Sequence, residues 1–201
     1  MTNTSAVSSM GRPREFDIQA ALQAALLVFW RSGYAATSLD DLTAAMGLSR
    51  SSFYGAFGTK HDVLLASVRL YADGVYVDLQ ALAAAEHPPI DCIRAVVSTI
   101  AKPHGDANGC LLVNSIAELA PDDLDVCEIA RMQVDRVTRL LQRLLAKAGH
   151  KSEASEQLSN TLIACAFGAS TLRKAGLPEI ALTGLLAQVD RLLEPSSTRR
   201  T

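Results

Sequence analysis

Apolar residues recur along this chain at intervals of three and four, the spacing that places side chains on one face of an α-helix. Residues 18–30 keep this spacing without a miss, and residues 60–85 continue it over a length that exceeds most globular helices. No segment alternates between apolar and polar residues in the manner of a half-buried strand. The pattern predicts an all-α fold of about nine helices.

Capping residues and helix breakers predict where these helices begin and end. Asp, Ser or Thr precedes each of the first four helices, and Gly follows the first three. The predicted helices are 18–32, 39–46, 50–57, 60–85, 90–102, 110–119, 121–148, 152–175 and 178–193. Pro121 is expected to open the seventh helix, with Asp122, Asp123 and Asp125 in its first turn, where the helix dipole favours negative charge.

The second and third predicted helices are short and are joined by one turn at Gly47. Ser38 and Asp41 have the spacing of a capping box at the start of the second helix. Ser49 can cap the third helix. Two short helices across a glycine turn are typical of a helix-turn-helix unit, but on the turn alone an ordinary helical hairpin with a solvated face fits equally well.

The third predicted helix has two sides of different chemistry. Phe53, Ala56 and Phe57 gather on the apolar side. The other side carries Arg50, Ser51, Ser52, Tyr54 and Gly55. Small residues allow a close approach to a groove, and the polar groups can donate hydrogen bonds to phosphates and base edges. This side is a candidate DNA-reading surface.

The charge distribution limits how DNA could be bound. The whole chain has a formal net charge of −2, whereas residues 1–60 hold five Lys and Arg against four Asp and Glu, a balance of +1. A basic patch must therefore be local, and its candidates are Arg12, Arg14, Arg50 and Lys60. Arg12 and Arg14 flank Pro13 in an arm before the first helix that could lie in a minor groove.

Other sequence features argue against several protein classes. The cysteines, at 92, 110, 127 and 165, form no CxxC pair, and the chain has neither a signal pattern nor an apolar run long enough for a membrane. We expect a soluble cytoplasmic protein with reduced thiols and no membrane partner. The histidines lack an HExxH context and no Gly-rich phosphate loop occurs, so no catalytic residue, metal ligand or cofactor is predicted.

The last two predicted helices favour self-association. A run of small residues at 164–170 would let helices approach closely, and the final helix has an apolar face. We expect a homodimer through the helices at about 152–175 and 178–193, arranged as a twofold four-helix bundle. Packing within one chain is the alternative.

Several motifs together resemble the TetR family of bacterial transcriptional regulators. They are Gly11-Arg-Pro, Phe29-Trp-Arg-Ser-Gly-Tyr34, Thr37-Ser-Leu, Gly47-Leu-Ser and Phe53-Tyr-Gly-Ala-Phe-Gly-Thr-Lys60. The resemblance is specific over about residues 11–70. It implies a homodimer that binds a near-palindromic operator through two recognition helices, most often as a repressor, and responds to a small effector.

The resemblance also implies domain limits and residue roles. A flexible basic arm would occupy 1–15, the DNA-binding domain 16–60, the effector-binding and dimerisation domain 61–194, and a flexible tail 195–201. Tyr54 and Lys60 would hold phosphates and Thr37 would contact the DNA backbone. Arg50, Ser51, Ser52 and Gly55 would lie nearest the bases, although Gly55 replaces the larger residue that family members frequently carry there.

Polar or polarisable residues in otherwise apolar segments are the candidates for an effector site. They are Tyr71, Tyr76, His104, Cys110, Asn114, Met132 and Phe167. Cys110, at the expected N-terminus of the sixth helix, could be a stabilised thiolate and thus a redox or electrophile sensor, or simply a buried small side chain. An all-α ligand carrier without DNA binding is a further alternative, and an enzyme is the least expected class.

Overall fold

The computed structural model describes residues 16–102 and 108–193, and in these ranges the chain forms nine α-helices and no strand. The helices are α1 (Ile18–Ser32), α2 (Leu39–Met46), α3 (Arg50–Phe57), α4 (Lys60–Ala84), α5 (Pro89–Ala101), α6 (Leu111–Leu119), α7 (Leu124–Lys147), α8 (Ser152–Lys174) and α9 (Glu179–Leu193). The predicted all-α fold is confirmed. The expected arm at 1–15, His104 and the segment 195–201 lie outside the described residues. None of these nine helices has both the length and the apolar character that a membrane crossing requires.

The predicted starts of the first four helices agree with the observed caps. The Asp17 carboxylate accepts two backbone N–H groups of the first turn of α1. Ser38 and Asp41 form the predicted capping box of α2. Thr59 and Asp62 form a second capping box at the start of α4. Each cap satisfies N–H groups that have no partner inside the helix, so local sequence alone determines where these helices begin.

The start of α7 differs from its prediction. The helix begins at Leu124 and not at Pro121, and Asp123 is its N-cap, with a carboxylate oxygen that accepts a backbone N–H of the first turn. Pro121 and Asp122 lie in the preceding turn. Asp125 keeps its expected place in the first turn. The helix starts later because the Asp123 side chain can satisfy an unpaired N–H group, which a proline cannot do.

Two buried apolar clusters lie along α4. The first joins α1, α2 and α3 to the near half of α4 and continues into α6 and the start of α7. The second contains the far half of α4 with α5, the rest of α7, α8 and the end of α9. Val68 and Leu79, both fully buried, anchor α4 in the first and second cluster respectively. With 25 residues, α4 is about 37 Å long and physically connects the two clusters.

Trp30 of α1 contacts the loop before α6. Its indole Nε1 donates a hydrogen bond to the Gly109 carbonyl oxygen at 2.9 Å. Its ring meets Tyr71 edge to face, with centroids 5.2 Å apart. Gly109 has a φ of 71°, a backbone conformation that favours glycine. These contacts fix the orientation of α1 against α4 and α6.

Candidate nucleic-acid interface and internal cavity

α2 and α3 are joined by the predicted turn at Gly47, inside a unit of residues 16–60 that we refer to as the head. Gly47 has φ 67° and ψ 30°, the left-handed conformation that glycine adopts without strain. The N–H groups of Gly47 and Leu48 donate to carbonyl oxygens in the last turn of α2, at 3.3 and 3.0 Å. Leu42 of α2 and Phe53 of α3 are both fully buried and anchor the two helices in the core. The turn and the two anchors hold α3 at a fixed angle to α2.

α3 presents its predicted polar side to solvent. The exposed residues of α3 are Arg50, Ser51, Ser52, Tyr54, Gly55 and Ala56. Ala56 was expected on the apolar side, but it lies about 60° around the helix from the buried Phe53, beyond the edge of the buried stripe. Apart from its chain neighbours and the backbone of its own helix, no heavy atom lies within 4 Å of the position that a Cβ of Gly55 would occupy. The surface around Gly55 is therefore open to a close approach.

Ser49 organises the first turn of α3. Its hydroxyl oxygen accepts the backbone N–H of Ser52 at 3.1 Å. The same oxygen lies 3.0 Å from the hydroxyl of Ser51 and 2.9 Å from that of Ser52. These connected hydroxyls surround a helix N-terminus, where the backbone N–H groups and the helix dipole favour phosphate oxygens.

Arg50 is paired with an acidic residue of α2. Its Nε and Nη2 lie between 2.7 and 3.1 Å from the carboxylate oxygens of Asp40. Both side chains are well exposed, at 65% and 71%. Water screens such a pair, so DNA can compete for the guanidinium. Sequence reasoning missed Asp40; the available signal was an acidic residue in the first turn of the helix that precedes Arg50.

Lys60 lies where the head meets α4. Its Nζ donates to the Thr37 carbonyl oxygen at 2.6 Å and lies 4.3 Å from the centroid of the Tyr34 ring. An ammonium group has three N–H donors, so the Thr37 contact leaves capacity for a phosphate. Thr37 itself is only 2% exposed, and its hydroxyl donates to the Gly33 carbonyl oxygen at 2.6 Å. The Thr37 hydroxyl is therefore buried and already bonded, and the contact of Thr37 with the DNA backbone stays a prediction.

The structure thus exposes the predicted DNA-contacting residues of α3, with Lys60 partly exposed at the start of α4. Those on α3 are Arg50, Ser51, Ser52, Tyr54 and Gly55, and Lys60 begins the next helix. Arg12 and Arg14 lie outside the described residues.

Known proteins resemble this chain over most of its length. Residues 21–67 match the pattern of the bacterial regulatory proteins of the tetR family. The regulator YezE of Bacillus subtilis (strain 168) is 31% identical over 148 residues, which are 72% of this chain and 76% of YezE. The chain belongs to the tetR family. The repressor ComR of Escherichia coli (strain K12) is 30% identical over 150 residues, which are 72% of this chain and 71% of ComR.

The fold of this TetR-family protein also matches solved structures. A cysteine variant of CifR, solved with 26-base-pair double-strand operator DNA, has a TM-score of 0.75 and 27% identity, and covers 92% of this chain and 100% of its own. A TetR-family regulator from Cytophaga hutchinsonii has a TM-score of 0.79 at 22% identity, covers 87% of this chain and 92% of its own, and supports the fold alone. The protein is therefore a transcriptional regulator with an N-terminal helix-turn-helix followed by a helical domain, and it is not an enzyme.

Three of the predicted effector residues of this TetR-family protein line one internal cavity. They are Tyr71, Cys110 and Phe167, and the other lining residues are Ala72, Val75, Leu79, Ile100, Leu112, Gln133 and Val137. The wall is almost entirely apolar. The cavity volume is about 20 Å³, which is enough for one water molecule. A larger molecule can enter only if the surrounding helices move apart.

Three other predicted effector residues do not line this cavity. The Tyr76 ring stacks with the Arg136 guanidinium, whose carbon lies 4.7 Å from the ring centroid. The Asn114 amide donates to the Asn108 carbonyl oxygen at 2.9 Å. Met132 is 50% exposed. These residues were chosen because they interrupt apolar segments, and that criterion does not identify which side of a helix faces inward.

Cys110 is the N-cap residue of α6, but it is only 8% exposed. Burial raises the pKa of its thiol, and hydrogen bonds from backbone N–H groups of α6 and from Tyr71 do not offset this effect. Burial likewise raises the pKa of Tyr71. Of the two alternatives for Cys110, these observations favour the buried small side chain over the stabilised thiolate. A redox sensor requires a reactive thiolate, and the buried, neutral thiol of Cys110 does not favour that alternative.

An ionisable cluster that was not predicted joins α4 to α7. His61 Nε2 lies 2.7 Å from Asp123 Oδ2. Burial opposes ionisation of Asp123, but hydrogen bonds from the Val126 N–H and from His61 outweigh burial and lower its pKa. Asp125 lies close by, and one ligand atom of each of these three residues falls within 4.8 Å of the others. The His61–Asp123 pair is thus a polar contact between the first turn of α4, next to the head, and the N-cap of α7.

Proposed function

We propose that this regulator is a repressor that binds a near-palindromic operator as a homodimer, through its head, and leaves the operator when a small effector enters the domain formed by residues 61–194. The observation that supports this proposal is the exposed polar side of α3, whose opposite side is held in the core by the fully buried Phe53. ComR and BdcR of Escherichia coli (strain K12) are named as repressors, and the CifR variant was solved with operator DNA. A firmly held helix with an open polar surface suits the major groove.

The head residues have distinct roles in this proposal. The residues nearest the base edges are Arg50, Ser51, Ser52 and Gly55. Tyr54, which is 56% exposed, and Lys60 hold phosphates beside them. Arg50 exchanges its Asp40 carboxylate for a base or a phosphate when the head docks. Arg12 and Arg14 would add contacts in the adjacent minor groove.

Two heads are needed because one head supplies few phosphate contacts and the whole chain has a formal net charge of −2. The proposed dimer interface is formed by α8 and α9. Ile180 of α9 is 83% exposed, and Leu172 of α8 and Leu177 of the following turn are each 38% exposed. A second copy of the chain would remove these apolar side chains from water, which stabilises the dimer.

Replacing Ile180 with arginine is expected to weaken dimerisation and to lower operator affinity by about tenfold or more, because a charge would be buried between the two copies. The operator is first obtained by selecting bound sequences from a random DNA pool with the wild-type protein. Sedimentation then measures dimerisation, and fluorescence anisotropy measures affinity. The matched control is Val77→Arg, at a site on α4 that is 62% exposed and lies outside α8 and α9. Full affinity and an intact Ile180→Arg dimer, or selected DNA without an inverted repeat, would contradict the proposal.

The proposed effector is a small uncharged molecule. Among the described residues, no charged side chain lines the cavity, and its polar groups are the Tyr71 hydroxyl, the Cys110 thiol and the Gln133 amide. The Gln133 amide nitrogen already donates to the Ala72 carbonyl oxygen at 3.1 Å. An ion entering here would lose its hydration and gain no counter-charge. A neutral, largely apolar ligand avoids this penalty.

Replacing Leu112 with alanine is expected to enlarge the cavity and to let it bind toluene, since Leu112 lines the wall and is only 2% exposed. Saturating toluene should raise the Tm of this variant by about 2 to 4 °C. Benzoate, which has a similar ring but carries a charge, should not raise it. Leu124→Ala, at a site that is 73% exposed, is the control and should respond to neither compound. Equal stabilisation of Leu112→Ala by benzoate and toluene would exclude a neutral-selective cavity.

A further inference from the structure

α6 reaches from the cavity to the head. Its N-cap residue Cys110 and its second residue Leu112 line the cavity. Glu118, near its other end, contacts the turn between α1 and α2. The helix has nine residues and is therefore about 13 Å long. One short helix thus touches both the proposed effector site and the DNA-binding unit.

The contact between Glu118 and the head is bidentate. Glu118 Oε2 accepts the Tyr34 N–H at 2.8 Å, and Oε1 accepts the Ala35 N–H at 2.7 Å. Hydrogen bonds to a carboxylate are roughly twice as strong as those between neutral groups. The turn also fits this side chain closely, because a Cβ at Gly33 would lie 2.9 Å from Glu118 Oε2, and Gly33 has a φ of 78°. Glycine at this position is what allows the carboxylate to reach both N–H groups.

The turn held by Glu118 lies beside the proposed DNA contacts. The Tyr34 ring carries the Lys60 ammonium on its face, with 4.3 Å between Nζ and the ring centroid. Lys60 in turn donates to the Thr37 carbonyl oxygen, directly before the N-cap residue of α2. A displacement of the Glu118 carboxylate would therefore reach both the start of α2 and the proposed phosphate-binding lysine. The His61–Asp123 pair is a polar contact close to the head, but it joins α4 to the N-cap of α7, and neither of its residues belongs to α6 or to the head.

We infer that Glu118 is a positioning residue: it sets the orientation of the head, and α6 transmits changes at the cavity to DNA binding through it. The inference rests on the proposed effector-responsive function. A ligand that displaces Leu112 shifts α6, the carboxylate moves away from the Tyr34 and Ala35 N–H groups, and the head loses the orientation that fits the operator. Glu118 itself contacts no DNA.

The inference predicts non-additive effects of Leu112→Ala and Glu118→Gln on operator affinity. Leu112→Ala alone should lower the affinity for the selected operator by about 5- to 10-fold, because it loosens the cavity end of α6. Glu118→Gln has nearly the same size, but it loses the charge and presents an amide NH₂ group to one of the two N–H donors. In the Glu118→Gln background, the same Leu112 change should lower affinity by less than about twofold, because the link to the head is already broken.

Glu128→Gln is the matched control, since Glu128 is an exposed glutamate on α7. Its effect should combine additively with that of Leu112→Ala. Glu118→Asp keeps the charge but shortens the side chain, and should restore only part of the coupling. Circular dichroism verifies folding, and Leu112→Val replaces Leu112→Ala if the alanine variant does not fold. If Glu118 had only a structural role, Glu118→Gln would lower stability, but its effect on operator affinity would still add to that of Leu112→Ala.

Additive effects of Leu112→Ala and Glu118→Gln would overturn the inference. An unchanged operator affinity of folded Leu112→Ala would overturn it as well, because α6 would then transmit nothing. If the wild-type protein selects no operator from the random pool, the proposed function fails and the inference fails with it. These results are distinguishable, because only the last one removes DNA binding by the unmodified chain.

Discussion

Replacing Gly55 with glutamate is expected to lower operator affinity by at least about 100-fold, since a like charge placed against phosphates costs several kcal/mol. Gly55 is on the exposed side of α3, and no heavy atom beyond its chain neighbours and its own helix backbone lies within 4 Å of the position that a Cβ would take. The Cβ of the new side chain therefore causes no clash. Its carboxylate would instead face the proposed groove, once in each of the two heads.

The fold should tolerate this substitution. Gly55 lies in the interior of α3, where glycine is less favourable for a helix than glutamate by roughly 0.5–1 kcal/mol. Gly55→Glu should therefore keep the wild-type Tm or raise it slightly, as measured by circular dichroism. The loss of DNA binding and the unchanged folding together would locate the interface on α3.

Gly74→Glu is the matched control for this prediction. Gly74 lies within α4, is also exposed, and also has no heavy atom beyond its chain neighbours and its own helix backbone within 4 Å of the position of an added Cβ. The same chemical change on α4 should alter operator affinity by less than about threefold, because the charge lies away from α3 and is screened by salt. If both variants lose affinity equally, net charge and not the surface of α3 controls DNA binding.

The features that sequence predicted well are those that depend on neighbouring residues. A capping box needs only residues three apart, and Ser38 with Asp41 could be identified without any tertiary contact. Gly47 marks its turn for the same local reason. The start of α7 was misplaced because two local signals compete there, and the capping carboxylate of Asp123 outweighs the preference of Pro121 for a first turn.

The partners of the site residues could not be predicted, because they come from distant parts of the chain. Lys60 meets Thr37 only after α1, α2 and α4 have packed together. Glu118 meets the N–H groups of Tyr34 and Ala35 across more than 80 residues of sequence. No rule of sequence spacing links positions so far apart, so the sequence does not distinguish Glu118 from an ordinary surface glutamate.

The cavity shows the same limit. Tyr71 and Met132 both interrupt apolar stretches, yet Tyr71 is 6% exposed and lines the cavity, whereas Met132 is 50% exposed. Helical periodicity assigns residues to sides of a helix, but the neighbouring helices decide which side is buried and where the packing leaves a gap.

Replacing Phe53 with alanine is expected to destabilise the protein by about 3–5 kcal/mol, the range observed when a buried aromatic side chain is truncated. Phe53 is fully buried. Its ring packs against Tyr54 with centroids 5.7 Å apart and against Phe57 with centroids 6.2 Å apart. It is the one residue of α3 that is fully buried, whereas Phe57 is only partly buried against the same cluster.

Urea unfolding at fixed protein concentration measures the loss of stability, because dimerisation makes apparent stability depend on concentration. Val77→Ala removes an aliphatic side chain that is 62% exposed on α4 and should change the free energy of unfolding by less than about 0.5 kcal/mol. Operator affinity of Phe53→Ala, measured well below its Tm, should also fall, since α3 is no longer held at a fixed angle to α2. A variant with wild-type stability but no DNA binding would contradict this account, because Phe53 would then have to contact DNA and not the core. Stability and operator affinity are expected to fall together, because the buried Phe53 holds α3 in the position that presents its opposite side to DNA.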